Sequence, residues 1–521
     1  MIWLQRAEVL PILCVMIANN LYRSVLVISV VVLGSCSSPR YSPSGNSLLD
    51  LRNPDLRVAL RVDSAETAWN EMLEGQRERA SVRRAFKDLA WSSATPIDVR
   101  MAVVGLLLDD PDPEGQADAR QMARLMLPTE RTRSVVAAIA SRAGERGWTD
   151  MASPLVRSYA RSVAMVEDGD RAEHIALEQL YPGRSVAETV FEVFLEPGYD
   201  NTPPELRLNE RTRADVWDLL GRLDETGELR RQLIAKAQTT DVSASAKASI
   251  DALKRGLDDL GVVPRTGDEL RWLERLADTS IPKNQAWWAQ SSAAVRGLND
   301  QQREGLELRH IEAIRWATAN KPEWVRADRS TLYNQLAERL DGREHHKRTA
   351  EKTVHRQPRR ERLRDWDDTL VWADLLTMLV VDEAVHQQQV LERLAQQIGI
   401  DRMDRTTEYG GVIEAVEGGK FRIVLFRPRA RDRTSDTAFA ASEDMVQYSD
   451  RALVHYHQHV QANNNAKYAG PSDADMTYAA RSGRTCLVFT NVDKDLLNVD
   501  CYQPNSVVID LGMVSTAAAS E

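Results

Sequence analysis

Ala452-Leu453-Val454-His455-Tyr456-His457-Gln458-His459-Val460 holds three of the chain's nine histidines, each two residues from the next. A period of two is that of a β-strand, so the run reads as one. Residues two apart on a strand share a face, so at least two of the imidazoles of His455, His457 and His459 converge on one point. Convergent imidazoles are a metal-ligand geometry.

Working outward, Glu408-Tyr409-Gly410-Gly411-Val412-Ile413 sets a carboxylate at the mouth of another strand. On the other side, Gly470-Pro471 introduces Ser472-Asp473-Ala474-Asp475, and Ser472 is placed to cap a helix running through Tyr478 to Arg481. Short apolar runs at 421–426, 486–490, 497–502 and 507–511 carry the strand-like pattern onward, while 370–398 is helical in period.

Taken in order, Glu-x-Gly-Gly, His-x-His and Ser-x-x-Asp resemble the signature of the JAMM (MPN-type) zinc metallopeptidases. The surrounding elements are similar too: a helix at 390–398, a strand into the histidines, a helix after Ser472, and a strand at 486–490 following Gly483. The resemblance spans roughly residues 385–512, about a quarter of the chain, and rests on the ordered combination rather than on any one piece.

It implies an α/β domain with a central mixed sheet over 369–521. It also implies a catalytic zinc held by His457, His459 and Asp475, with a fourth position open to water. Tyr456 then fills the aromatic position before the first ligand, although His455 stays open as an alternative ligand. By the same resemblance, Glu408 is the general base and acid, and Ser472 donates to the oxyanion. The implied reaction is hydrolysis of a peptide or isopeptide amide, and the implied partner of this domain is a peptide or protein substrate. Val460 departs from the family's Pro, and residues 461–469 lengthen a normally short gap. These departures bear on specificity before they bear on metal binding.

From 64 to 340 the chain reads as one short helix after another, each stopped by Pro, Gly or Asp and too narrow in its apolar stripe to stand alone. The expected fold class is therefore multidomain, an all-α region followed by the α/β domain. The helical region is either a HEAT-like solenoid or an irregular array, since no fixed period survives counting. Trp148, Trp217, Trp272, Trp287, Trp288, Trp316 and Trp324 are expected to brace helix contacts, and a protein partner is expected on this region. Residues 341–368 form a dense charge run and read as a solvated linker between domains. Asp382-Glu383-Ala384-Val385-His386 approaches a zincin motif but has Asp where the first His belongs, and reads as a chance helical stretch.

At the N-terminus, Arg23, the apolar run 25–33 and Leu33-Gly34-Ser35-Cys36 have the plan of a bacterial lipoprotein signal peptide, with translation starting at Met1 or Met16. This predicts lipidation of Cys36, a flexible tether over 37–63, and anchoring to a bacterial membrane on the periplasmic face of the cell envelope. Ser37 is compatible with outer-membrane sorting. Cys486 and Cys501 then remain in the mature chain and could form a disulfide across a hairpin in an oxidising envelope, or lie reduced in the core. The net charge of -10, from 67 Lys+Arg against 77 Asp+Glu, argues against nucleic acid as a partner. The alternative to a lipid-anchored zinc hydrolase is an interaction lipoprotein whose C-terminal module is catalytically silent.

Overall fold

The structure is a computed structural model and describes residues 42–198, 208–238, 242–346 and 360–517. Cys36 and the signal segment lie outside the described residues. The chain is mostly helical and ends in a six-stranded mixed sheet. Among the described residues, no helix is long and apolar enough to cross a membrane.

Helices occupy most of 47–341, and they pack chiefly on helices one to three places away in the chain. Local punctuation sets their ends. Pro113, Pro282 and Pro322 stand at the first helical position, where a missing N–H costs nothing. Gly261, at φ +69°, closes the helix Ala244–Leu260 in the left-handed conformation that glycine adopts without strain. All seven tryptophans singled out above are buried. Several also tie one element to another by their indole N–H: Trp217 donates to Pro264 O, Trp287 to Glu312 and Trp288 to Asp259.

Folding begins earlier than the sequence suggested. The expected tether over 37–63 contains the helix Ser47–Arg52 and the start of Val58–Leu73, and Leu51 is fully buried. Asn46 caps the first helix by accepting from Leu48 and Leu49 N–H, so a Ser- and Pro-rich composition hid a capped helix.

The sheet comprises β1 (Gly410–Ala415), β2 (Phe421–Phe426), β3 (Val454–His459), β4 (Cys486–Asp493), β5 (Leu496–Tyr502) and β6 (Val508–Ser515), in the order β2-β1-β3-β4-β5-β6. Only β3 and β4 run parallel, and a parallel pair needs a crossover, here the helix Asp473–Ser482. Cys501 pairs with Leu487 and Cys486 with Tyr502. A one-residue offset puts the two cysteines on opposite faces, so of the two alternatives the sequence left open the reduced one holds, and both lie as free buried thiols.

Residues 341–368 are not a free linker at either end. Met513 N–H donates to Glu344 O and Asp510 N–H to Glu361 O, so both flanks of the charge run are bonded to β6 at that edge of the sheet. Arg343 adds a bond to Leu511 O and pairs with the buried Asp382, which Arg339 also contacts. Asp382 therefore belongs to a structural ion cluster, in keeping with a chance likeness to a zincin motif.

Nor does packing show a boundary there. One continuous apolar core runs from Leu51 to Val514. The helix Trp372–Val385, nearly all of it buried, sits inside that core. Trp316, from a helix, meets Phe421 of β2 with ring centroids 4.9 Å apart. Trp272 donates to Asp450 O at 2.7 Å, and Arg275 grips the Asp450 carboxylate. Trp316→Ala is therefore expected to destabilise the whole chain by about 3–5 kcal/mol, the range for truncating a buried aromatic. Chemical denaturation followed by circular dichroism should show one shifted transition. Two transitions, with only the later one shifted, would mean that the sheet unfolds by itself.

Candidate metal centre

β3 is buried along its whole length, and its odd-numbered residues share a face. Its antiparallel neighbour β1 brings Gly410 opposite His457, which sets Glu408 beside the histidine pair. The two glycines permit this approach. A Cβ on Gly410 would lie 2.4 Å from Tyr456 O and 2.7 Å from the Phe439 ring, and one on Gly411 would collide with Val424 O. Phe439 in turn stacks flat on His457, with centroids 5.9 Å apart.

The Nε2 atoms of His457 and His459 stand 3.1 Å apart. Each ring is held by its other nitrogen. His459 Nδ1 bonds Tyr468 O at 2.8 Å, and His457 Nδ1 lies 3.4 Å from Tyr502 Oη. The Tyr468 carbonyl requires a proton on His459 Nδ1 and so leaves its Nε2 to accept a metal, the way metal-binding imidazoles are oriented, while the Tyr502 hydroxyl positions the His457 ring. Glu408 Oε1 is 3.8 Å from His459 Nε2, and Asp475 Oδ2 is 3.4 Å from His457 Nε2. Ligand atoms of Glu408, His457 and His459 all lie within 4.8 Å of one another.

The third histidine separates from the pair. His455 is buried two residues up the strand, and its Nδ1 bonds Tyr478 Oη at 2.7 Å. Burial, with Arg484 near, pushes its pKa well below the ordinary value. The sequence left His455 open as an alternative ligand, and the geometry gathers His457 and His459 instead.

Ser472 caps the helix Asp473–Ser482 in a reciprocal box: its hydroxyl accepts from Asp475 N–H, and the Asp475 carboxylate accepts from Ser472 N–H at 2.7 Å. The cap thus aims Asp475 at His457 from the positive end of a helix. With its oxygen accepting, the hydroxyl hydrogen of Ser472 is left to donate elsewhere.

The electrostatics follow from burial and neighbours. Burial raises the Glu408 carboxyl to about 8, with His457 opposing and Asp475 adding to the rise. Burial acts against charge on Asp475 as well, but His457 outweighs it and holds that carboxyl well below the usual range. For His457, burial disfavours the charged ring, yet Asp475 and Glu408 prevail and its pKa is raised. One carboxyl kept readily protonated beside one kept ionised is a division of labour between acid–base and electrostatic roles.

The lengthened loop after His459 supplies residues that sequence reading missed. Gln461 Nε2 donates to Glu408 Oε1 at 2.8 Å. Asn465 Nδ2 bonds both Gln461 Oε1, at 2.9 Å, and His459 O, at 3.0 Å. The insertion is thus a brace for Glu408 and β3. Nothing in an Asn-rich run announces such contacts, which depend on where the loop lies in space. A scan against protein-family models finds no match for the chain, and neither do searches of curated proteins and of solved structures.

Proposed function

We propose that the C-terminal region is a zinc-dependent hydrolase of peptide or isopeptide amides, of the JAMM type, in a lipid-anchored protein of the bacterial envelope. The observation that carries the reading is the buried meeting of two imidazole Nε2 atoms, 3.1 Å apart, with the carboxylates of Glu408 and Asp475. The donor set fits zinc, which takes imidazole and carboxylate together. His457, His459 and Asp475 would hold the ion. Bound there, zinc would polarise the substrate carbonyl and lower the pKa of a water toward about 7.

The remaining work falls to the chain's own side chains. Glu408, held by Gln461, accepts a proton from the attacking water and passes it to the departing amine nitrogen. A carboxyl raised to about 8 by burial suits that exchange near neutral pH. Ser472 donates its free hydroxyl hydrogen to the oxygen that gains negative charge, a role typically worth a few kcal/mol. The burial of β3 and the stacked Phe439 keep water away from the histidine faces that do not point to the centre. In this reading the lipid on Cys36 holds the protein at the membrane, and the helical region presents the substrate or a partner protein.

The test is cleavage by the full chain. With zinc supplied, it is expected to hydrolyse members of a mixed pool of peptides and Lys-isopeptides, to stop when the metal is chelated and to resume when zinc is restored. No zinc-dependent cleavage of either kind would overturn the hydrolase reading and favour a silent module on a helical interaction protein.

A further inference from the structure

The chain treats the two edges of its sheet differently. Backbone carbonyls of Glu344 and Glu361 bond the outer edge of β6, whereas among the described residues β2 has a strand only on its β1 side. Val416 N–H donates to Lys420 O at 2.8 Å, which sets the parity of the hairpin: even-numbered residues of β2 turn their backbone groups to β1, and odd-numbered ones turn outward. The outward groups of Phe421 are taken by side chains, its N–H by Gln387 Oε1 at 2.8 Å and its C=O by Gln389 Nε2 at 3.5 Å. Those of Ile423 and Leu425 have no hydrogen-bond partner among the described residues.

Beside them runs an open groove of about 690 Å³. Arg393, Lys420 and Arg422 line it, and no acidic side chain among the described residues does, in a chain whose net charge is -10. Glu414 engages Arg422, while Arg393 and Lys420 are exposed and have no carboxylate partner among the described residues.

We infer that this edge receives an acidic, extended peptide segment of a partner protein as an added strand. Backbone groups of Ile423 and Leu425 pair with it, and Arg393 and Lys420 face its carboxylates, the mode of recognition in which main-chain bonds give affinity and side chains give selectivity. The added strand lies three strand spacings, about 14 Å, from β3. It therefore anchors a partner and does not present a scissile bond to the histidines, so the inference stands whether or not the centre hydrolyses anything.

The probe is a labelled ten-residue peptide alternating Val and Glu, titrated into the full chain and read by fluorescence anisotropy, with hydrogen exchange over 421–426 as a second readout. Binding is expected to weaken with salt, to protect those amides, and to fall at least tenfold when Lys replaces Glu in the peptide. Leu425→Pro, which removes an outward N–H but no bond to β1, and the pair Arg393→Glu with Lys420→Glu should each weaken binding at least tenfold. Circular dichroism checks the fold, and if the proline variant proves unfolded the charge variant decides. No binding, equal binding of the two peptides, or affinity unchanged in the charge variant would overturn the proposal.

Discussion

Replacing His457 and His459 together by alanine is expected to abolish zinc binding, taking the full chain from about one ion to none. Both rings present Nε2 to one point, with their Nδ1 atoms engaged elsewhere. His455 lies outside the group of ligand atoms that gathers there, and its Nδ1 bonds Tyr478 Oη. Losing an outer-shell partner alone typically costs 10–100-fold in metal affinity, and two direct ligands cost far more. The fold should survive, because β3 is held on both sides by backbone pairing that the substitutions leave intact. Elemental analysis after dialysis reads the outcome. In the unsubstituted chain, zinc affinity should be full above the raised titration range of His457 and fall as pH drops through it, because the ligand must be neutral to bind. A wild-type chain that takes up no zinc, or a double variant that keeps it, would end the metal reading.

The second large effect separates two assignments of the third carboxylate. Glu408→Gln is expected to lower amide hydrolysis by about 10²–10⁴-fold, the usual contribution of a general base, while zinc content stays at the wild-type level. A glutamine here has nearly the same shape, and its carbonyl oxygen can still accept from Gln461. Metal should stay because Asp475, aimed by the helix cap, supplies the charged oxygen. Yet Glu408 itself comes within ligand distance of both histidines. If the variant loses zinc and activity together, Glu408 is a ligand and Asp475 takes the other role.

Much of the centre was legible because its residues obey local rules. The spacing of His457 and His459 needs only the strand period, and Ser472 with Asp475 needs only the first turn of a helix. Where the sequence misled, the deciding information was not local. Whether Cys486 faces Cys501 depends on one residue of register, which the turn and a bulge near Asn491 fix. The charge run at 341–368 looked solvated because its backbone bonds to β6, over a hundred residues away, leave no trace in composition. Gln461 and Asn465 act through contacts that only the folded loop creates, and the helix Ser47–Arg52 sits within a composition typical of a tether.

The backbone bonds from Glu344 and Glu361 to β6 also bear on how many molecules can be joined through this sheet. Fibres of stacked sheets grow because every unit has one edge to give and another to receive. With Asp510 and Met513 already bonded to Glu361 and Glu344, β6 offers the β2 of another copy an interrupted edge, which opposes head-to-tail propagation. Any strand taken up at β2 terminates the ladder. A strand added at β2 would therefore bind one to one.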